Sequence, residues 1–417
     1  MIFNKTGRLL KNYKFTYNNK VLECVREYKY LGFLVTPSCE IVSGLKDLRN
    51  RAVKALAKMR KSLGTFFQHN ISNTIHLYTY VIRPILLYCC DFWGCLKQPK
   101  NNPIEQFHTM FCKQLLGVRR QTNNDAVHQE LGLLPISIHA TKIAIRNWER
   151  IHEKRANMFL VASHSNAFEE NLPWTAHVKD IFAKNGLLET YLLKVEENEV
   201  TGEVADPMAN VLFERMVDQY NQTSFGTINT SSKLSVYSKL KKEPAREPYL
   251  SEVKIYKHRR ALTKLRMSSH SLEIERGRYD KTEAKDRICK YCQVYGQIKV
   301  EDEAHFVVNC PQYKELREKL LPSDIIQNTH LNEEEKLIKI LSDTDNCNEI
   351  AKFACQAFED RETALEVLAT IQDMVNFTEK TCIANTSPPN AISAKSDSYM
   401  IKSTANDGMR ITLARVF

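Results

Sequence analysis

Four metal-avid side chains at fixed gaps, Cys289-x2-Cys292-x12-His305-x4-Cys310, constrain this 417-residue chain more than any other feature. Two cysteines two residues apart aim both sulfurs at one point from a tight turn, and the His-x4-Cys half supplies the other two corners of a tetrahedron. Tyr291 sits inside the knuckle and Gly296 lies in the arm between the halves, where a turn is needed. Pro311 follows the last ligand and stops the chain from continuing regularly. The spacing predicts a zinc site held by Cys289, Cys292, His305 and Cys310. A closed set of four leaves no position for a reacting water, so the site reads as structural. The alternative is ordinary reduced cysteines and a surface histidine.

The most basic part of the protein runs up to this motif. Residues 254–290 hold twelve Lys and Arg against five Asp and Glu, a surplus of seven in a chain whose net charge is +10. At the helical period, residues 253–267 put Ile255, Ala261, Leu262 and Leu265 on one side. Lys257, Arg260 and Lys264 line the other, with Tyr256 beside them. Arg266, Arg276 and Arg278 extend the cationic set toward the cysteines. A charge run is also what any solvated face looks like. The neighbouring Cys/His set and the interleaved Tyr256, Tyr279 and Tyr291 point instead to nucleic acid, RNA or DNA, where cations neutralise phosphates and rings stack on bases.

The length allows two or three domains, and 13 Gly with 13 Pro favour long helices over turn-rich β architecture. The residues MIFNKTGRLL lack the apolar run of a signal peptide, so the twelve cysteines are expected reduced, in nucleus or cytoplasm. Residues 76–96 are apolar but contain Arg83, Pro84 and Asp91. Charges at mid-bilayer cost roughly 2.5–3.5 kcal/mol each, so the segment is expected as a proline-kinked core helix of a soluble protein without membrane association.

The predicted fold is mainly α. Strands over 13–17 and 21–25 flank Asn18-Asn19, two residues tolerant of positive φ and suited to a hairpin turn. A third strand is expected over 28–35, with a bulge or close approach at Gly32. Residues 45–63 place Leu45, Leu48, Ala52, Leu56, Met59 and Leu63 on one helix face and Arg51, Lys54, Lys58 and Lys61 on the opposite one. Further helices are expected over 104–116, opened by Pro103 and closed by Gly117, and over 125–131, 136–154, 174–185, 206–220, 333–341 and 349–374. The domain boundaries follow as 1–42 (β), 43–160 (helical), 161–248 (helical linker), 249–330 (basic helix and CCHC knuckle), 331–380 (C-terminal helices) and 381–417, a polar tail with Pro388-Pro389 expected to be disordered.

Several blocks, in order, carry a family resemblance. They are Glu27-Tyr-Lys-Tyr-Leu-Gly-Phe-Leu, then Tyr80-Val-Ile-Arg-Pro-Ile-Leu-Leu-Tyr through Trp93-Gly94, then Phe111-Cys-Lys-Gln-Leu-Leu-Gly-Val-Arg and Glu130-Leu-Gly-Leu-Leu-Pro. Arg260-Ala-Leu-Thr-Lys-Leu-Arg and Leu272-Glu-Ile-Glu-Arg-Gly-Arg-Tyr lead into the knuckle, which Glu303-Ala-His-Phe-Val and Cys310-Pro-Gln-Tyr complete. Together they resemble the C-terminal half of the reverse transcriptase of non-LTR (LINE-like, jockey-like) retrotransposons, over residues 1–361. The resemblance implies the end of a polymerase palm in 1–42, a thumb beginning near Leu45, and a zinc knuckle that helps hold RNA or target DNA. It implies that Arg51, Lys54, Lys58 and Lys61 face the duplex while Lys257, Arg260 and Lys264 guide nucleic acid toward the metal. The family's paired metal-binding aspartates have no counterpart, because no Asp-Asp pair occurs in the sequence. A nucleic-acid-binding remnant without catalysis is therefore expected. A subunit completed by another polypeptide and a helical protein-interaction module are the alternatives.

Overall fold

The hairpin turns show most directly how local residue chemistry shapes this chain. The structure, a computed structural model, describes residues 14–64, 69–153, 157–170, 172–196 and 208–384. Strands β1 (Phe15–Tyr17) and β2 (Lys20–Leu22) pair antiparallel around Asn18 and Asn19, whose φ values of 46° and 58° are the left-handed pair a two-residue hairpin turn demands. The single third strand expected over 28–35 is instead a second hairpin. β3 (Tyr28–Tyr30) and β4 (Phe33–Val35) fold about Leu31-Gly32, both at positive φ. Gly32 therefore makes a turn rather than a bulge, at φ 85°. The Tyr88 hydroxyl donates to the Leu31 carbonyl and holds this turn against the helical body.

The rest of the described chain is helical. Helix Val42–Leu63 buries Leu45, Leu48, Ala52 and Leu56, as their spacing predicted, with Met59 and Leu63 partly buried beside them. A Cβ at Gly44 in its first turn would collide with the Phe33 ring, so this glycine lets helix and hairpin pack closely. Helix Pro103–Leu116 begins where the Asn102 side chain accepts from the Ile104 amide at 2.9 Å and ends at left-handed Gly117. Asn123 and Gly132 bound helix Asn124–Leu131 in the same way. Helix Glu333–Ser342 carries a full capping box between Asn332 and Glu335.

The expected kinked helix over 76–96 is broken further than one proline kink. It comprises Ile71–Leu77, a π-helical turn Tyr78–Ile82, and the short helices Arg83–Leu86 and Cys90–Trp93. Pro84 has no amide to donate and its ring crowds the preceding turn, so the ladder widens there to i→i−5 bonding, as in Arg83 N–H to Tyr78 O. No helix among the described residues is long and apolar enough to cross a membrane.

A first core runs from Phe33 through Trp93, Phe107, Phe111, Leu131, Tyr237 and Leu262 to Phe306 and Phe353. A second gathers Trp148, Val178, Phe182, Tyr191 and Leu212. Helix Ile136–His152 serves both, with Ile136 and Ala140 in the first and Ala144, Ile145 and Trp148 in the second. The described residues up to Ala364 form one compact unit, and the described residues from Leu365 group separately. The tail expected from residue 381 lies, from residue 385 on, outside the described residues.

Candidate metal centre

Short-range hydrogen bonds build the knuckle. Cys289 precedes a helical turn, Lys290–Val294, that carries Cys292 inward, and Gln293 N–H returns to Cys289 O at 3.0 Å. Gly296, at φ 71°, reverses the chain. The arm then pairs back onto the segment before the knuckle: Ile288 bridges Val300, Cys289 N–H donates to Lys299 O at 2.8 Å, and Glu301 N–H donates to Arg287 O at 2.9 Å.

The second half depends on an unusual turn. His305 and Cys310 are five residues apart, which on an α-helix would set them about 140° around the axis from each other. The segment His305–Asn309 is π-helical, and Cys310 N–H donates to His305 O at 2.7 Å. An i→i−5 bond brings Cys310 over His305. Asp302 Oδ1 accepts from His305 N–H at 2.7 Å and fixes the start of the turn. Arg317 donates to Val307 O and to Cys310 O, both at 2.8 Å, and fixes its end.

All four side chains are buried, and their ligand atoms lie within 4.8 Å of one another. Cys292 Sγ is 3.4 Å from His305 Nε2 and 4.0 Å from Cys310 Sγ. The four can hold one metal ion. Their protonation chemistry agrees with that capacity. A hydrogen bond from Cys310, helped by His305, outweighs burial and brings the Cys289 thiol down to about 4. Burial and the Cys289 charge push Cys292 up to about 11. Cys310 is pushed up as well, by its bond to Cys289 and by burial. Such a cluster gives up one proton readily and resists losing the next, until a cation neutralises the accumulating charge.

The basic residues divide by environment. Lys54, Lys58 and Lys61 are exposed on helix Val42–Leu63, and Lys257 and Arg260 are exposed on helix Tyr256–Arg266, where Lys264 is half-buried. Arg51 is engaged: its side chain donates to Gly32 O at 3.1 Å, pairs with Asp47 at 3.3 Å and lies 5.4 Å from the Tyr88 ring centroid. Arg276 is about half-exposed beside Glu273, and Arg278 is paired with Glu275 at 2.8 Å.

Two residues depart from the expected faces. Ile255, expected on the apolar side, is 51 % exposed because it precedes the helix rather than lying in it. Arg266, expected on the cationic face, is buried. Its guanidinium meets Glu130 at 3.1 Å and Glu247 at 2.5 Å and donates to Leu341 O at 2.6 Å, while Tyr249 also donates to Glu130. A desolvated guanidinium needs carboxylates, and the fold brings Glu130 to it from 136 residues away.

The two basic helices also meet a common element. Arg60, near the end of the first helix, donates to Gln114, and Arg260 donates to Gly117 O at 3.0 Å, so both helices reach the C-terminal end of helix Pro103–Leu116. Cations there also meet the negative end of the helix dipole.

A second buried set is His108, Cys112 and His128; His108 and Cys112 are one helical turn apart, but His128 comes from the next helix and only the packing of the two brings it in. Its ring nitrogens are already engaged. His108 Nε2 faces the Leu134 carbonyl at 3.1 Å, which can only accept, so Nε2 carries the proton and Nδ1 accepts from the Tyr78 hydroxyl at 2.6 Å. His128 contacts Thr109 at 3.2 Å and Tyr220 at 3.3 Å. Burial pushes both imidazoles down, His128 to about 4.

No family model and no solved structure matches the chain. A 127-residue stretch is 23 % identical to a Drosophila melanogaster protein described as "Probable RNA-directed DNA polymerase from transposon X-element", covering 30 % of this chain and 14 % of that protein. This similarity supports an origin related to reverse transcriptases.

Proposed function

We propose that this chain is a nucleic-acid-binding, non-catalytic part of a retrotransposon reverse-transcriptase lineage, organised around a structural zinc. The carrying observation is the convergence of Cys289, Cys292, His305 and Cys310 on one point, in a chain whose excess positive charge lies in the segment just before them. Zinc held at about 2.3 Å by each sulfur of a tetrahedron separates its sulfurs by roughly 3.8 Å. The 4.0 Å between Cys292 and Cys310 fits that span, and a three-thiolate, one-imidazole donor set suits zinc. The ion would tie the knuckle to the π turn and supply no reacting position.

Lys54, Lys58, Lys61, Lys257, Arg260 and Lys264 then contact phosphates, with Arg276 and Arg278 nearer the metal. Arg51 steadies the second hairpin and Arg266 the core. Phosphate contacts make binding weakly sequence-specific and steeply salt-dependent; six of them lose on the order of a thousandfold in affinity between roughly 50 and 200 mM salt. The test is gel retardation of RNA and DNA across that range. Retardation whose salt slope falls on changing Lys54, Lys58 and Lys61 to Gln supports the reading. No retardation at low salt refutes it and leaves the protein-interaction alternative. The sequence contains no Asp-Asp pair to hold two catalytic metal ions. Primer extension by the isolated chain is therefore expected to yield no product, and templated synthesis would overturn that part.

A further inference from the structure

Between helix Tyr256–Arg266, the turn after Gly117 and the early part of helix Cys347–Ala384 lies a pocket of about 380 Å³. Arg119, Lys257, Arg260 and Lys264 line it with Glu359 and Glu362, a surplus of two positive charges. Lys257 is partly neutralised by Glu359 at 3.6 Å. Arg260 is steered by its bond to Gly117 O, against which its side chain packs so closely that a Cβ at Gly117 would lie 2.7 Å from Arg260 Cγ. The Arg119 backbone is fixed by its N–H to Ser269 Oγ at 3.0 Å, and Ser269 also bonds Thr122. Among the described residues, neither the Arg119 guanidinium nor the Lys264 ammonium forms an ion pair. Burial, then Arg260 and Arg119, lower the affinity of Lys264 for its proton, against a smaller opposing effect of Glu362.

We propose that this pocket binds a phosphomonoester dianion, the terminal phosphate of a nucleic-acid strand or of a free nucleotide. A phosphomonoester carries about −1.5 to −2 at pH 7, against −1 for each backbone diester, and so matches the surplus of two. Diesters track along open surfaces, whereas a concave site takes a group that projects. Two arginine forks add paired donors to phosphate oxygens. The strand-end source rests on the nucleic-acid reading above; the phosphate chemistry of the pocket does not.

The test uses the full chain and calorimetric titration at low salt with inorganic phosphate, a nucleoside 5′-monophosphate, and one single-stranded dodecamer ending in hydroxyls or in a 5′ or 3′ phosphate. A phosphorylated dodecamer is expected to bind at least tenfold tighter than its hydroxyl-ended form, with inorganic phosphate competing away the difference. Arg119→Gln is expected to abolish that preference while leaving hydroxyl-ended binding within twofold. Glu362→Gln, which raises the surplus to three, is expected to tighten inorganic phosphate several-fold, and this variant decides the matter if Arg119→Gln does not fold. Equal binding of phosphorylated and hydroxyl-ended strands, with no binding of inorganic phosphate or mononucleotide, overturns the pocket and leaves the nucleic-acid reading intact. Binding of phosphate and mononucleotide that Arg119→Gln removes, with no strand bound in any form, supports the pocket for free nucleotides and sinks the nucleic-acid reading.

Discussion

The two buried Cys/His clusters contain the same kinds of group at similar distances, yet they differ in what their lone pairs face. In the Cys289 cluster, the ligands are held through their own backbone groups: Cys289 N–H donates to Lys299 O, His305 N–H donates to Asp302 Oδ1, and Cys310 O accepts from Arg317. The sulfurs and the imidazole Nε2 are left turned toward one another. In the His108 cluster, tyrosine, threonine and a backbone carbonyl take up the ring nitrogens, and Cys112 Sγ approaches His108 Nε2 only at 4.0 Å. Ligand-type residues in proximity are thus not sufficient for a metal site. The donor atoms must also be free of other partners, with their orientation supplied by something else.

The largest effect that can break this comparison is metal removal. Structural zinc is worth roughly 10–16 kcal/mol of apparent binding energy in small peptides. Chelation, or Cys289→Ser, is expected to abolish bound zinc and to expose amides 288–311 to hydrogen exchange while helices Val42–Leu63 and Pro103–Leu116 stay protected. A preparation free of zinc under reducing conditions would remove the distinction between the clusters. Next in size, His108→Ala is expected to leave zinc content unchanged but to cost about 3 kcal/mol in chemical denaturation, from a buried cavity and an orphaned tyrosine hydroxyl. Loss of metal in that variant would assign the ion to the His108 cluster instead.

Acid treatment sharpens the contrast. The folded state holds His128 at about 4, below its usual value near 6.5, because burial disfavours the cation. The unfolded chain therefore binds the proton first. The stability present above about pH 6.5 declines as pH falls toward 4, by on the order of 3 kcal/mol for this residue. His128→Gln is expected to flatten part of that profile, read as the difference from the unaltered chain at each pH so that the contribution of the Cys289 thiol cancels. The smallest effect belongs to Tyr78→Phe. It removes the donor to His108 Nδ1 and is expected to cost about 1 kcal/mol, read as a shift in denaturation midpoint, with zinc content again unchanged.

Legibility followed the range of the interactions. Asn18-Asn19, Pro103 and Gly117 announced their turns and helix ends because a helix start or a positive φ is decided within a few residues. The stripe from Leu45 to Leu56 announced its buried face for the same reason. The π turn over His305–Asn309 was not legible, although the His-x4-Cys spacing needs it to bring both ligands to one side. Arg266 reads as one more cation in a basic run. Its partner Glu130 lies 136 residues away, and nothing near Arg266 in sequence signals that pairing.

What the chain's sequence determined alone is which four side chains can serve as ligands, where most helices stop, and that an excess of positive charge precedes the metal motif. Tertiary structure decided which cations remain in water, which histidines are already engaged, and that the two basic helices converge on the end of a third. Local choices depend on torsions and hydrogen bonds spanning a few residues. The fate of a long charged side chain depends on whatever distant segment packing brings against it.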